Sequence, residues 1–167
     1  MFASSRHPST RSTEELASSA GARQDEDVSV RTKRWNDPRE DDDGYRLLVC
    51  RYRPRGVARA AETWDAWCKA LGPSEELHAD FYAKGGGPPL AFADYERRFR
   101  EEMSRQRYWI EGFAAHLRRG DTITLLCSSA CTDPARCHRT LLATLLEEAA
   151  SPPAVTTGAT VVRRRPL

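Results

Sequence analysis

Thr122-Ile-Thr-Leu-Leu-Cys-Ser-Ser-Ala-Cys-Thr-Asp-Pro-Ala-Arg-Cys-His-Arg139 is the stretch whose reading decides the fold. Residues 122–127 are a short, mostly apolar run that reads as a strand. A polar loop over 128–136 follows, and then a helix expected from about 137 to 150, which carries Leu141, Leu142, Leu145 and Leu146. Strand, loop, helix is the repeating unit of a parallel α/β sheet.

Upstream, Tyr95, Phe99, Met103, Gln106, Ile110, Phe113 and Leu117 step by three or four, which predicts one long helix over 91–119 with Gly120 as its stop. The Lys84-Gly-Gly-Gly-Pro-Pro89 segment before it is a flexible break. Ser74 caps a shorter helix, with Glu75 and Glu76 in its positive first turn and Leu77 and Phe81 as its core contacts. Trp64, Trp67, Cys68 and Leu71 fall at helical spacing and predict another helix, closed by Gly72-Pro73. Residues 45–52 form a nearly continuous apolar run, expected as a strand buried on both faces. Val28, Val30 and Thr32 alternate with polar residues as a half-buried first strand does, and 159–163 suggest a last one. The expected fold is therefore α/β: a single three-layer domain with a mainly parallel sheet of about four strands and flanking helices. The link after the first strand lacks a helix, so that strand is free to pair antiparallel and make the sheet mixed.

Length and composition agree with one domain plus tails. The chain has 167 residues, 40% of them hydrophobic and 30% charged. No apolar run approaches the ~20 residues of a spanning helix, so no membrane partner is expected. Residues 1–27 are rich in Ser, Thr and Arg and poor in large apolar side chains, so they are expected to be a disordered tail before a domain at 28–167. An apolar leader is not visible, and the five cysteines are odd in number, so a cytoplasmic, reducing setting is expected. The net charge of +2 argues against a protein dedicated to coating DNA. Lysine occurs only at Lys33, Lys69 and Lys84; every other basic residue among the 26 is arginine, whose planar fork suits carboxylate or phosphate.

In an open parallel sheet, ligands bind outside the carboxyl ends of the strands. Two such ends are rich in chemistry here: Arg51-Tyr-Arg-Pro-Arg-Gly56 and the 127–139 loop. If both strands are parallel, both loops open on one edge and line one cleft. Arg51, Arg55 and Arg139, with Cys127, Ser128 and Cys131, are the candidate ligand-binding residues for a small anion such as a phosphate or nucleotide. Separate surface ion pairs, with the 41–43 acids for instance, are the plain alternative for the arginines. Cys137 and His138 are the candidate catalytic pair. A helix N-terminus and adjacent basic groups would lower the Cys137 pKa, whereas burial in an apolar wall would raise it. Cys127, Cys131, Cys137 and His138 also offer a tetrahedral zinc set, although no standard Cys-x2-Cys pairing is present. The cofactor is otherwise unknown from the sequence. A nucleic-acid-associated role, using the arginine loops and the 163–165 arginines, is a further alternative, and the oligomeric state is not encoded in any pattern found.

Several motifs resemble those of the YeaO-like family, a domain of unknown function. These are Lys33-Arg-Trp-x-Asp-Pro38, Asp-Asp-Gly-Tyr-Arg46, Arg51-x-x-Pro-Arg-Gly56, Trp64-Asp-x-Trp67 and Leu-x-Pro-Ser74, with Leu125-Leu-Cys127 through Cys137-His-Arg139. The resemblance covers about 28–148 and implies a compact bacterial α/β protein. It departs at Cys50, where many members have Asp, and at Arg53, where they have an aromatic. It implies little about activity.

Overall fold

Four short strands lie side by side in the computed structural model, which describes residues 30–152: β1 (Val30–Arg34), β2 (Tyr45–Leu48), β3 (Ala66–Trp67) and β4 (Ile123–Cys127). Their order across the sheet is β1-β4-β2-β3, and every pairing is parallel. Val30 stands opposite Ile123 and Arg34 opposite Cys127, while Leu48 faces Leu126 on one side and Trp67 on the other. The single α/β domain is as expected, but the option of an antiparallel first strand is corrected. Even without a helix, the ten residues after β1 suffice to carry the chain past β4 and return it in the same direction.

Four α-helices join the sheet among the described residues: α1 (Glu75–Phe81), α2 (Phe92–Ser104), α3 (Arg107–Leu117) and α4 (His138–Ala150). Their buried residues, among them Leu77, Tyr95, Phe99, Met103, Leu117, Leu142 and Leu146, form one core with Leu47, Val49, Ile123 and Leu125 of the sheet region. On the opposite face Leu48 and Leu126 pack with Trp64, Cys50, Trp35 and Val57, all contributed by connecting segments. Helices thus cover one face and loops the other. The right-handed rule for parallel crossovers accounts for this. The steps β1 to β2 and β2 to β3 run in one direction across the sheet and pass on one face, while the helix-bearing return from β3 to β4 passes on the other.

Two helical expectations are corrected. Residues 64–71 form β3 and a 3-10 turn at Lys69–Leu71 rather than an amphipathic helix. The edge of β2 takes up their backbone groups: Cys68 N–H donates to the Leu48 carbonyl at 3.0 Å, and Trp67 Nε1 donates to the Cys50 carbonyl at 2.9 Å. The helical spacing was coincidental, because Trp64 and Cys68 are buried on opposite faces of the sheet. The expected long helix is broken at Arg105 and Gln106, where N–H groups turn back to the carbonyls of Glu102 and Met103. Across the break α2 packs on both α1 and α4, while α3 runs along α4. The Ser74 cap is present, its hydroxyl accepting from Leu77 N–H at 3.0 Å. Val28, the 1–27 tail, the 159–163 strand and the 163–165 arginines lie outside the described residues. Among the described residues no helix is long and apolar enough to cross a membrane.

A buried charge cluster holds the amino ends of β2 and β4. Asp43 and Arg46 are both 0% exposed and pair at 3.2 Å, and Lys33 Nζ reaches the other Asp43 oxygen at 2.6 Å. The Asp43 carbonyl accepts from Thr124 Oγ1, and Arg46 donates to the Asp37 carbonyl. Between them Gly44 sits at φ +59°, where a Cβ would fall 2.2 Å from the Thr122 carbonyl oxygen, so only glycine fits.

These contacts set an acid limit on stability. Hydrogen bonds from Arg34 and Arg39 hold Asp37 and Asp65 below the usual carboxylate range. Burial raises the Asp43 pKa, but Lys33, the Glu40 N–H and Arg46 outweigh it and the net shift is downward. A carboxyl with a folded pKa below its unfolded value of about 3.9 stabilises fully above that pH, and the contribution is lost as pH falls through the folded value. The urea midpoint is therefore expected to hold steady from about pH 7 to 5 and to drop below about pH 4. Unchanged midpoints down to pH 3 would contradict this account of the three aspartates.

Candidate functional site

The carboxyl ends of β2 and β4 are neighbours in the sheet, and the chains leaving them turn to opposite faces, which opens a crevice between them. A cavity of about 670 Å³ occupies this position. Arg51, Tyr52, Arg53, Pro54 and Arg55 line it from the β2 loop, and Cys127, Ser128, Cys131, Arg136, Cys137 and His138 line it from the β4 loop. The two loops singled out in the sequence thus share one cleft. Gly72 helps to shape it, since a Cβ there would sit 2.8 Å from the Val49 carbonyl oxygen and 3.0 Å from Arg51 N.

Five cations line this cavity, namely Arg51, Arg53, Arg55, Lys84 and Arg136, and no carboxylate lies among the lining residues. Arg51 is tied to Glu75 at 2.8 Å, and Arg53 pairs with Glu62 while its guanidinium lies 5.6 Å from the Trp64 ring centre. Pairing with the 41–43 acids is thereby corrected: Asp42 pairs with Arg31, and Asp43 with Lys33 and Arg46. Arg55 is exposed at the mouth. Arg139, expected to bind ligand, does not line the cavity. It is 4% exposed, and its Nε and Nη1 have no hydrogen-bond partner. Its place in the first turn of α4 turns it into the protein, near enough to Asp37 and Cys131 for its charge to lower both pKa values.

Three thiols meet at the cavity floor. Cys127 ends β4, Cys131 follows a turn in which its N–H donates to the Ser128 carbonyl at 3.0 Å, and Cys137 occupies the N-cap position of α4. Their Sγ atoms all lie within 4.8 Å of one another. Hydrogen bonding with the other two sulfurs, reinforced by burial, pushes the Cys137 thiol up, the direction that burial in an apolar wall favours. Contacts with Cys127 and Cys137, with the charge of Arg139, instead hold Cys131 down. Cys131 is also the only half-buried thiol of the three, so thiolate character and access coincide there.

His138 is 9% exposed and lies under the same floor. Its Nε2 is 3.0 Å from the Val49 carbonyl oxygen, which can only accept, so the proton is assigned to Nε2 and Nδ1 is left as an acceptor. Burial pushes its pKa down to about 4, and the ring is neutral at physiological pH. The Phe99 ring packs against it at 5.8 Å.

Sequence reasoning missed one wall. His78, Tyr82, Lys84 and Tyr95 also line the cavity. His78 lies between the rings of Tyr52 at 5.2 Å and Tyr82 at 4.9 Å, and Lys84 Nζ lies 5.7 Å from the centre of Tyr52. His78 is a single polar residue on the Ser74-capped helix and Lys84 opens the glycine-rich break, and no local spacing points either of them at a cleft. Trp35 both lines the cavity and packs edge-on against Trp64 at 6.1 Å.

Fold and site together define a small parallel α/β domain with a cationic, cysteine-floored cleft at its strand ends. Residues 30–150 match the family model described as the active DUF488-N3 subclade, and the chain belongs to this family of domains of unknown function. Among curated relatives it is similar to the uncharacterized protein YeaO of Escherichia coli strain K12, at 33% identity over 78 residues, 47% of this chain and 64% of that one. An uncharacterized protein of Mycobacterium tuberculosis strain H37Rv is 31% identical over 77 residues, 46% of this chain and 62% of that one. The matches cover a little under two thirds of these relatives' own lengths. No solved structure matches.

Proposed function

We propose that this protein binds a small anionic ligand, phosphate-bearing or nucleotide-like, in the cleft between the β2 and β4 loops. The observation that carries this reading is the lining itself, with five cations and no carboxylate around about 670 Å³, a volume that suits a small molecule. Arg55, Lys84 and Arg136 are the cations with no carboxylate partner among the described contacts, and they receive the anion. Arg51 and Arg53, fixed by Glu75 and Glu62, supply positive potential behind them. An anion held there would lie beside the sulfurs of Cys127, Cys131 and Cys137 and next to neutral His138, which offers thiol and imidazole groups for a reaction. Five unpaired cysteines fit a reducing compartment, and we place the protein in the cytoplasm on that ground.

Titration calorimetry with inorganic phosphate and with adenosine monophosphate tests the reading. Binding is expected for the wild type, and the Arg55→Ala/Arg136→Ala double variant should lose at least about ten-fold in affinity, since a charge-assisted hydrogen bond contributes ~1.5–3 kcal/mol. Unchanged affinity in the double variant would overturn it. So would tight binding of single-stranded oligonucleotides with a steep salt dependence and none of the mononucleotide, because that signature belongs to a nucleic-acid surface.

A further inference from the structure

We propose that Cys127, Cys131 and Cys137 form a three-sulfur site for a soft divalent cation, zinc above all, with its fourth coordination position open to the cleft. The inference is independent of the anion reading, because metal uptake needs no phosphate and is read from metal content.

The sequence argued against such a site, since the Cys-x3-Cys-x5-Cys spacing fits no standard ligand pairing. The fold removes that objection. Spacing rules describe ligands that share one hairpin or knuckle, whereas these three come from a strand end, a loop and a helix cap. Their sulfurs lie within 4.8 Å of one another. Zinc–sulfur bonds of about 2.3 Å at tetrahedral angles place sulfurs about 3.8 Å apart, so a small change in side-chain torsion closes the triangle onto a metal.

The surroundings fit a bound thiolate cluster. Three thiolates and one divalent cation leave one negative charge in a largely buried place. Arg139, 4% exposed with two guanidinium nitrogens that have no hydrogen-bond partner, is a buried cation standing near both Asp37 and Cys131. A cluster carrying net negative charge beside it would add to the counter-charge that Asp37 supplies.

His138 does not join the ligand set. Its Nε2 is engaged by the Val49 carbonyl, and although Nδ1 lies 3.9 Å from Cys127 Sγ, the ring is not part of the group in which every donor is close to every other. The four-ligand set expected from the sequence is therefore reduced to three sulfurs. Structural zinc sites are closed by four protein ligands, whereas catalytic ones keep a position for water or substrate. Three sulfurs facing a lined cleft belong with the second kind. Metal binding converts thiols to thiolates, so up to three protons are released to solvent as one cation enters.

The test uses the full-length chain, kept reduced and stripped of metal by a chelator. Titrated with cobalt(II), it should develop thiolate-to-cobalt charge-transfer and tetrahedral ligand-field bands that saturate at one ion per chain, and zinc should abolish them. Cys131→Ser, at the partly exposed position where folding tolerates the change, should weaken uptake by more than the ~10–100-fold that loss of an outer-shell contact costs. Cys68→Ala, outside the cluster, should bind as the wild type does. A reduced wild-type chain that develops no thiolate bands at micromolar cobalt would overturn the proposal, as would a Cys131→Ser chain, folded by circular dichroism, that binds equally well.

Discussion

Asp43→Asn is expected to destabilise the domain by about 3–5 kcal/mol, because it leaves the buried Arg46 guanidinium and the Lys33 ammonium without their shared counter-charge. Both Asp43 and Arg46 are fully buried, so water cannot substitute for the lost carboxylate. The site also anchors backbone: one Asp43 carboxylate oxygen accepts from Glu40 N–H at 3.2 Å, closing the turn that leads into Gly44 and β2. An amide keeps the shape and loses the charge, so the variant isolates electrostatics from packing. Urea unfolding of the two chains measures the difference at the midpoint, with the denaturant slope unchanged if the native fold persists. Asp42→Asn is the matched control. Its partner Arg31 is 37% exposed and Asp42 itself 62%, so that change should cost under about 1 kcal/mol. Equal losses at the two positions would show that the buried cluster is not what holds this corner.

Phe99→Ala is expected to cost a comparable ~3–5 kcal/mol and to loosen the floor of the site as well. Phe99 is 0% exposed, stacks on Tyr95 at 6.1 Å and packs against His138 at 5.8 Å. The ring supports the imidazole, whose Nε2 is held by the Val49 carbonyl. The variant should therefore lower Tm and weaken cobalt uptake together, since α4 carries both His138 and the Cys137 cap. Tyr108→Ala serves as the control: that ring is 82% exposed, and its loss should change stability by no more than about 0.5 kcal/mol. A Phe99→Ala chain as stable as the Tyr108→Ala chain would show that the helix layer does not depend on this contact.

Much of the fold was legible because burial leaves a local trace. The apolar run ending at Cys127, the Ser74 cap and the repeating apolar positions of α2 and α4 each report which side of an element faces the core, and neighbouring residues alone carry that signal. The shared cleft followed from topology, since parallel strands put their carboxyl ends on one edge. What could not be read was anything that depends on a partner distant in sequence. Trp64, Trp67, Cys68 and Leu71 have helical spacing, yet the backbone groups along the edge of β2 drew residues 66–67 into a strand. The α2–α3 break carries no glycine or proline, so nothing local to the sequence marks it, and it lets both α2 and α3 pack on α4 while α2 also meets α1.

The site divides in the same way. The sequence by itself determined a parallel α/β domain and the two loops that meet at its strand ends, because residue order and periodicity are sufficient for both. Only the tertiary structure decided that β1 runs parallel to β4, that Arg139 points inward, that His78 and Lys84 join the cleft, and that Cys131 rather than Cys137 is the accessible thiol. The reason is physical. Hydrogen-bond pairing, charge proximity and desolvation depend on distances in space, and a position's neighbours along the chain do not set those distances until the sheet has brought the ends of β2 and β4 and the cap of α4 together.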